Sequence, residues 1–227
     1  MELFKRILFE DNHIIIINKK PGELVQSDKT GDISLSDLIK NYIKIQKKKE
    51  GSAYLGVVHR IDRPASGVLV FAKTSKALTR LNEQFKLRLT KKIYWALVDK
   101  KFPKDCKNLS SWMTRNRKKN KSKAHLKEVP KSKFAQLNLK RIKEFEKYCL
   151  LEIELLSGRH HQIRAQLSSL GFPIQGDVKY GAQRANKDKS ISLHSKSLSF
   201  SHPITKEKLN FGTIPKNTGI WKIVLYD

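Results

Sequence analysis

Two polar clusters in this chain hold the residue types that can do chemistry. The first is His59-Arg60-Ile61-Asp62-Arg63-Pro64-Ala65-Ser66-Gly67, which sets one carboxylate between two arginines. The second is Ser157-Gly158-Arg159-His160-His161-Gln162-Ile163-Arg164. An arginine close to a carboxylate favours its charged form, and an ionised carboxylate serves as a nucleophile or a base. Asp62 is therefore either a reactive acid or a turn residue paired with Arg60 or Arg63. Phosphate repels it, so on a nucleic acid it must address sugar or base. Tyr94 offers a ring on which a base can stack and a hydroxyl for a hydrogen bond. Ile93 and Trp95 alternate with it, so one face of that segment must be core.

Other chemistries find less support. The seven histidines include no H-E-x-x-H pair, and Cys106 and Cys149 stand far apart, so no metal-ligand spacing is present. On a helix the adjacent His160 and His161 would point in different directions. Ser66 lacks the G-x-S-x-G setting of a hydrolase nucleophile. Neither a P-loop nor G-x-G-x-x-G occurs. No metal and no cofactor are expected.

The elements that must position these residues are readable from pattern. Leu55–Val58 and Val68–Ala72 are short apolar runs on either side of the first cluster and read as buried strands. The four isoleucines Ile14–Ile17 form another. Ser34 can cap a helix from about Leu35 to Lys48, with Leu35, Leu38, Ile39 and Tyr42 on one face. Thr74 or Ser75 starts a second helix with Leu78, Leu81 and Phe85 at helical spacing. Strands are expected over Lys91–Asp99, Phe134–Leu139 and Tyr148–Leu156. A helix is expected from His161 to Leu170, stopped by Gly171 and Pro173. Gly176-Asp177 and Tyr180-Gly181 read as turns, Ile191–Phe200 as a strand, and Lys208 to Pro215 as a hairpin arm. The stretch from Pro103 to Lys133 is the least patterned and reads as a basic insertion, a loop or hairpin. Many strands with few helices indicate an α+β domain with a mostly antiparallel or mixed sheet.

Composition narrows the partner. Lys and Arg number 47 against 21 Asp and Glu, a net charge of +26. That excess calls for a polyanion. No apolar run approaches the roughly 20 residues of a membrane span, and the N-terminus carries no secretory pattern. Two cysteines without paired spacing suit a reducing compartment. Nucleic acid in the cytoplasm is the expected setting. The run Arg115-Asn116-Arg117-Lys118-Lys119-Asn120-Lys121-Ser122-Lys123 is either a solvated face or a phosphate contact.

The motifs also carry a family resemblance. His59-Arg60-Ile61-Asp62-Arg63 with Ser66-Gly67 and Phe71-Ala72-Lys73 resembles the catalytic motif of the RluA family of pseudouridine synthases. Asn18-Lys19-Lys20-Pro21-Gly22 is similar to its N-K-P-x-G segment with one extra Lys, and Lys92-Ile93-Tyr94 to its K-x-Y motif. Ser157 to Arg164 resembles T-G-R-x-H-Q-I-R, followed by Gly171-Phe172-Pro173-Ile174 and Gly176-Asp177. Leu193-His194 and Phe200-Ser201-His202-Pro203 resemble the closing elements. Ala65 and Ser157 stand where the family usually has Thr.

The resemblance implies a pseudouridine synthase fold. That is a mixed, largely antiparallel central sheet in two halves flanking an RNA-binding cleft. The chain is expected to be a single catalytic domain over residues 1–227, and the expected lack of an N-terminal S4-like domain is a departure from the family. It implies cofactor-free isomerisation of uridine in structured RNA, ribosomal or transfer, by a monomer. Asp62 matches the catalytic aspartate, Tyr94 the tyrosine that stacks on the target base, and Arg164 the arginine that pairs with the aspartate. Arg60 matches the arginine at the space left by the flipped nucleotide, and Leu193 an apolar residue of the uracil pocket. His59, Arg63 and Arg159 lie in the same motifs and are expected on the substrate side. Arg115, Arg117, Lys118, Lys119, Lys121 and Lys123 are expected on the RNA backbone. A catalytically idle RNA-binding protein on the same fold is the alternative.

Overall fold

A computed structural model describes residues 3–48 and 50–226. The chain divides into two compact units, Met1–Thr90 with Ser197–Ile214, and Lys91–Lys196 with Pro215–Asp227.

In the first unit β1 (Ile7–Glu10) and β2 (Ile14–Lys19) form an antiparallel pair joined at Asp11-Asn12. The Asp11 carboxylate closes the turn by accepting from the backbone N–H of His13 and of Ile14, both at 2.7 Å. Helix α1 (Leu35–Gln46) starts at a capping box, with Ser34 and Asp37 each accepting from the other's backbone. It buries Leu35, Ile39 and Ile43, whereas Leu38, expected on that face, is 39% exposed. Strand β3 is only Gly56–Val57, shorter than the expected Leu55–Val58 run. Strand β4 (Ser66–Ala72) is buried along its whole length, pairs antiparallel with β2 from Lys19↔Gly67 to Ile14↔Ala72, and carries β3 at its end. Helix α2 (Ser75–Lys86) is capped by Thr74. Its Ala77 and Leu81 pack on Ile14, Ile16, Val68 and Val70.

In the second unit the antiparallel order is β5 (Lys91–Asp99), β9 (Tyr148–Leu155), β8 (Lys133–Glu144), β6 (Asn108–Asn116) and β7 (Lys121–His125). The expected unpatterned insertion is thus largely a two-stranded hairpin, β6–β7. Charge masks its alternation in the sequence. Ser122 is buried while Lys121 and Lys123 on either side are exposed, the period-2 pattern of a strand with one covered face. Helix α3 (Gln162–Ser169) covers that face, where Met113, Ala124, Ala135, Ala165 and Tyr180 cluster. Strand β10 (Leu193–Ser201) begins in this unit and ends in the first, where it pairs with β11 (Lys208–Gly212). The final helix α4 (Lys222–Tyr226) follows Trp221, which packs on Leu97 and Leu150. Each unit is an antiparallel sheet with few helices, an α+β construction.

Candidate active site

The first cluster is the loop between β3 and β4, and one buried cation holds its backbone. Lys19 ends β2 at 1% exposure. Its Nζ donates to the carbonyls of Lys20 (2.9 Å), Arg63 (3.0 Å) and Ala65 (2.7 Å), with that of Asp62 at 3.4 Å. Burial pushes the Lys19 ammonium down to about 7, against the opposing pull of the Glu23 and Asp62 carboxylates. The turn closes on itself through Ala65 N–H to the Asp62 carbonyl at 3.0 Å. Ala65 is fully buried, and its polar contacts are made through its backbone.

Gly22 ties a second loop to this one. Its N–H donates to the Arg63 carbonyl (2.8 Å) and its carbonyl accepts from Arg63 Nε (2.9 Å). Its φ of +86° is a conformation that side-chain-bearing residues rarely adopt. Arg63 also forms an exposed ion pair with Asp32 at 2.7 Å, so it braces the neighbouring loop. His59 has a structural task as well. Its Nε2 accepts the Val70 N–H at 3.2 Å just beyond the short β3, and its ring stacks on Phe85 of α2 at 4.7 Å. Arg60 is exposed and Asp62 half-buried.

The second cluster is organised by side chains. Ser157 Oγ accepts from Gln136 N–H (2.8 Å) and donates to Gln162 Oε1 (2.8 Å), which also accepts the Arg159 N–H (3.1 Å). Arg159 Nε donates to the Phe134 carbonyl at 3.0 Å. His160 and His161 precede α3 rather than lying on it, because His161 is left-handed at φ +52°. Their rings therefore stack at 3.7 Å instead of diverging. His160 Nδ1 lies 2.8 Å from Ser122 Oγ, and His161 Nδ1 lies 2.9 Å from the Tyr180 hydroxyl. That hydroxyl accepts the Ser122 N–H at 2.8 Å, so its own proton is available to His161. Burial, then the nearby Arg164 and His160, push His161 down to about 2. It is neutral, as an acceptor from Tyr180 must be.

Arg164 on α3 is buried in a fork with Asp177, Nε to Oδ2 at 2.6 Å and Nη2 to Oδ1 at 2.8 Å. Its guanidinium lies 4.8 Å from the centre of the Tyr180 ring. Gly176, before Asp177, has φ +86°, and a Cβ there would meet the Asn186 side chain at 2.6 Å. Tyr94 on β5 is 7% exposed and sits opposite Ile153. Leu193 is buried at the start of β10. On the hairpin, Arg115, Arg117, Lys118, Lys119, Lys121 and Lys123 are all exposed, and Lys121 lies 5.1 Å over the Tyr180 ring.

Lys19, Asp177 and Tyr180 are the supports that pattern reading leaves without a role. A lysine two residues after a run of four isoleucines, on the same strand, is the available signal for the first. The other two stand in sequence as ordinary turn residues. Among the described residues no group of three or more His, Cys, Asp or Glu could hold a metal, and no helix is long and apolar enough to cross a membrane.

Comparison with known proteins bears on the same residues. The chain is 35% identical over 211 residues to the ribosomal large subunit pseudouridine synthase C of Buchnera aphidicola (subspecies Baizongia pistaciae), covering 89% of this chain and 64% of that protein. It is 34% identical over 206 residues to an uncharacterized RNA pseudouridine synthase of Bacillus subtilis, covering 88% of this chain and 65% of that one. It thus spans less than two thirds of the length of either relative. The fold matches human RNA pseudouridylate synthase domain containing 4 with a TM-score of 0.79 at 21% identity, over 95% of this chain and 90% of that chain. Residues 13–169, which include both polar clusters and Tyr94, match the description RNA pseudouridylate synthase, and the chain belongs to that family.

Proposed function

We propose that this protein isomerises uridine to pseudouridine in ribosomal RNA, in the cytoplasm, as a monomer and without a cofactor. The observation that carries the reading is that Asp62, Tyr94 and Arg164 all fall inside the family match over residues 13–169. The relatives named as large-subunit ribosomal enzymes support the choice of RNA, and the net charge of +26 supports a polyanionic substrate.

In this reading the target uridine is flipped out of its stack, at a cost of a few kcal/mol. Lysine and arginine contacts to phosphate offset that cost. The C1′–N1 bond breaks and a C1′–C5 bond forms. The C5 proton leaves, N1 gains one, and no water is consumed. Asp62 either attacks C1′ or removes the 2′ proton to give a glycal. Tyr94 stacks on the uracil and assists loss of the C5 proton. Arg164, fixed by Asp177, serves as the ion-pair partner that aims the Asp62 carboxylate. Arg60 fills the space left by the flipped nucleotide and Leu193 lines the uracil pocket.

The test is tritium release from C5-labelled uridine in ribosomal RNA. The wild type should release tritium, and Asp62→Ala should abolish release while largely preserving RNA binding. Undiminished release by that variant would sink the assignment. Replacing Arg115, Arg117, Lys118 and Lys119 by Ala should weaken RNA binding and flatten its salt dependence, by about 0.7–0.9 in slope for each phosphate that the variant leaves unneutralised. An unchanged slope would take the hairpin off the RNA.

A further inference from the structure

The face of the β6–β7–β8 ribbon that α3 does not cover carries aromatic rings in register. Met113, Ala124 and Ala135 point to the covered side, so strand alternation sends Trp112, His125 and Phe134 to the other. The register sets them directly opposite one another, with Trp112 facing His125 on β7 and Phe134 on β8. The three rings therefore form one row across three strands. Trp112 and Phe134 meet edge to face at 5.5 Å, and Phe134 is 41% exposed. His125 is steered by Thr114 Oγ1 at 2.9 Å from its Nε2. Phe134 is exposed and Trp112 and His125 are half-buried, so the row leaves part of its ring surface open on this face.

The surroundings are cationic. Lys123 pairs with Thr114 in the next row of the same face, about 7 Å along the strand. Arg159 is fixed to the Phe134 carbonyl at 3.0 Å. From Asn108 to Lys140, Glu128 is the only acidic residue. Aromatic rings flanked by lysine and arginine suit a single strand of nucleic acid, because every base has a face to stack and every linkage a charge to pair. Base pairs in a duplex hide those faces.

We propose that this face is a stacking platform for unpaired bases of the RNA substrate, with Phe134 and Trp112 taking bases and Lys123 and Arg159 the adjoining phosphates. The platform rests on the reading of the protein as an RNA enzyme. It adds that the substrate offers an unpaired segment besides the target uridine.

The experiment titrates the protein with a short single-stranded oligouridylate and, in parallel, with a fully paired RNA hairpin of matched charge. Tryptophan fluorescence and fluorescence polarisation are read together. Wild type should show saturable quenching by the oligouridylate. Trp112→Phe should remove most of the quenching and keep the binding, because Phe also stacks. Phe134→Ala should weaken oligouridylate binding about tenfold and leave the paired hairpin within about twofold. Phe134→Leu keeps apolar bulk without a π-face and should weaken it in the same direction, and circular dichroism checks that both variants fold. Wild-type affinity in folded Phe134→Ala and Phe134→Leu overturns the platform. Equal losses for single strand and duplex also overturn it, leaving charge alone. Quenching that follows protein concentration and ignores RNA overturns it too, and would assign the face to a second copy of the chain. Tritium release by a wild type that shows no quenching rejects only the platform. Quenching by a wild type that releases no tritium rejects the enzymatic reading and keeps the platform.

Discussion

The two polar clusters are held in opposite ways. The loop containing Asp62 is fixed through its main chain, by the Lys19 ammonium donating to a ring of carbonyls. The turn leading to Arg164 is fixed through side chains, by Ser157 with Gln162, His160 with Ser122, His161 with Tyr180 and Arg164 with Asp177. A backbone anchor sets where Asp62 sits without using its carboxylate in those bonds. A side-chain network instead commits the residues themselves and fixes the direction of a guanidinium. These two kinds of support suit the roles proposed above, a carboxylate that reacts and an arginine that aims.

The largest effect should come from the first cluster. Asp62→Asn should lower tritium release by at least about 10²- to 10⁴-fold, with an unchanged urea midpoint. A variant that loses stability instead would make Asp62 part of the scaffold and break the contrast. Lys19→Met should do the reverse, costing about 3–5 kcal/mol of stability by leaving the carbonyls of Lys20, Arg63 and Ala65 without their donor, at about 1–3 kcal/mol for each acceptor left unsatisfied. Urea denaturation measures it, and a loss under about 1 kcal/mol would show that the loop holds itself.

In the second cluster Asp177→Asn should cost less, about 1.5–3 kcal/mol, since the amide still offers Arg164 one acceptor. It should lower activity more than stability if the direction of Arg164 is what matters. A parallel scan of activity and melting temperature separates the two. The smallest effect is on pH. His161 titrates at about 2 when folded and near 6.5 when unfolded. Below pH 6.5 the unfolded chain gains a proton that the folded chain refuses. Stability is thus fully present above that pH and falls as the pH drops, by at most about 1.4 kcal/mol per unit. His161→Gln should flatten this slope between pH 6.5 and 5, and an unaltered slope would assign it to another group.

Much of the fold is legible in the residues. The isoleucine run, the Ser34 and Thr74 caps and the apolar run at Val68–Ala72 each dictate their elements by local chemistry, and all form. The hairpin is obscured because lysines occupy the exposed alternate positions of β7 and read as a solvated run. Helical spacing separates the two histidines, whereas one left-handed residue moves them off the helix, and backbone sign at a non-glycine is not written in the side chains. Spacing also places Leu38 in the core, but the buried stripe of α1 runs through Ile39 and Ile43.

The sequence by itself determined the two clusters, the strands and helices outside the β6–β7 hairpin that local pattern marks, and the family, because these depend on residue identity and short spacing. Tertiary structure alone decided that Lys19 holds the loop from Asp62 to Ala65, 43 to 46 residues away in sequence, and that Asp177 pairs with Arg164. Such partners are chosen by which buried charge must be satisfied where the chain returns to it, and sequence order carries no record of that meeting.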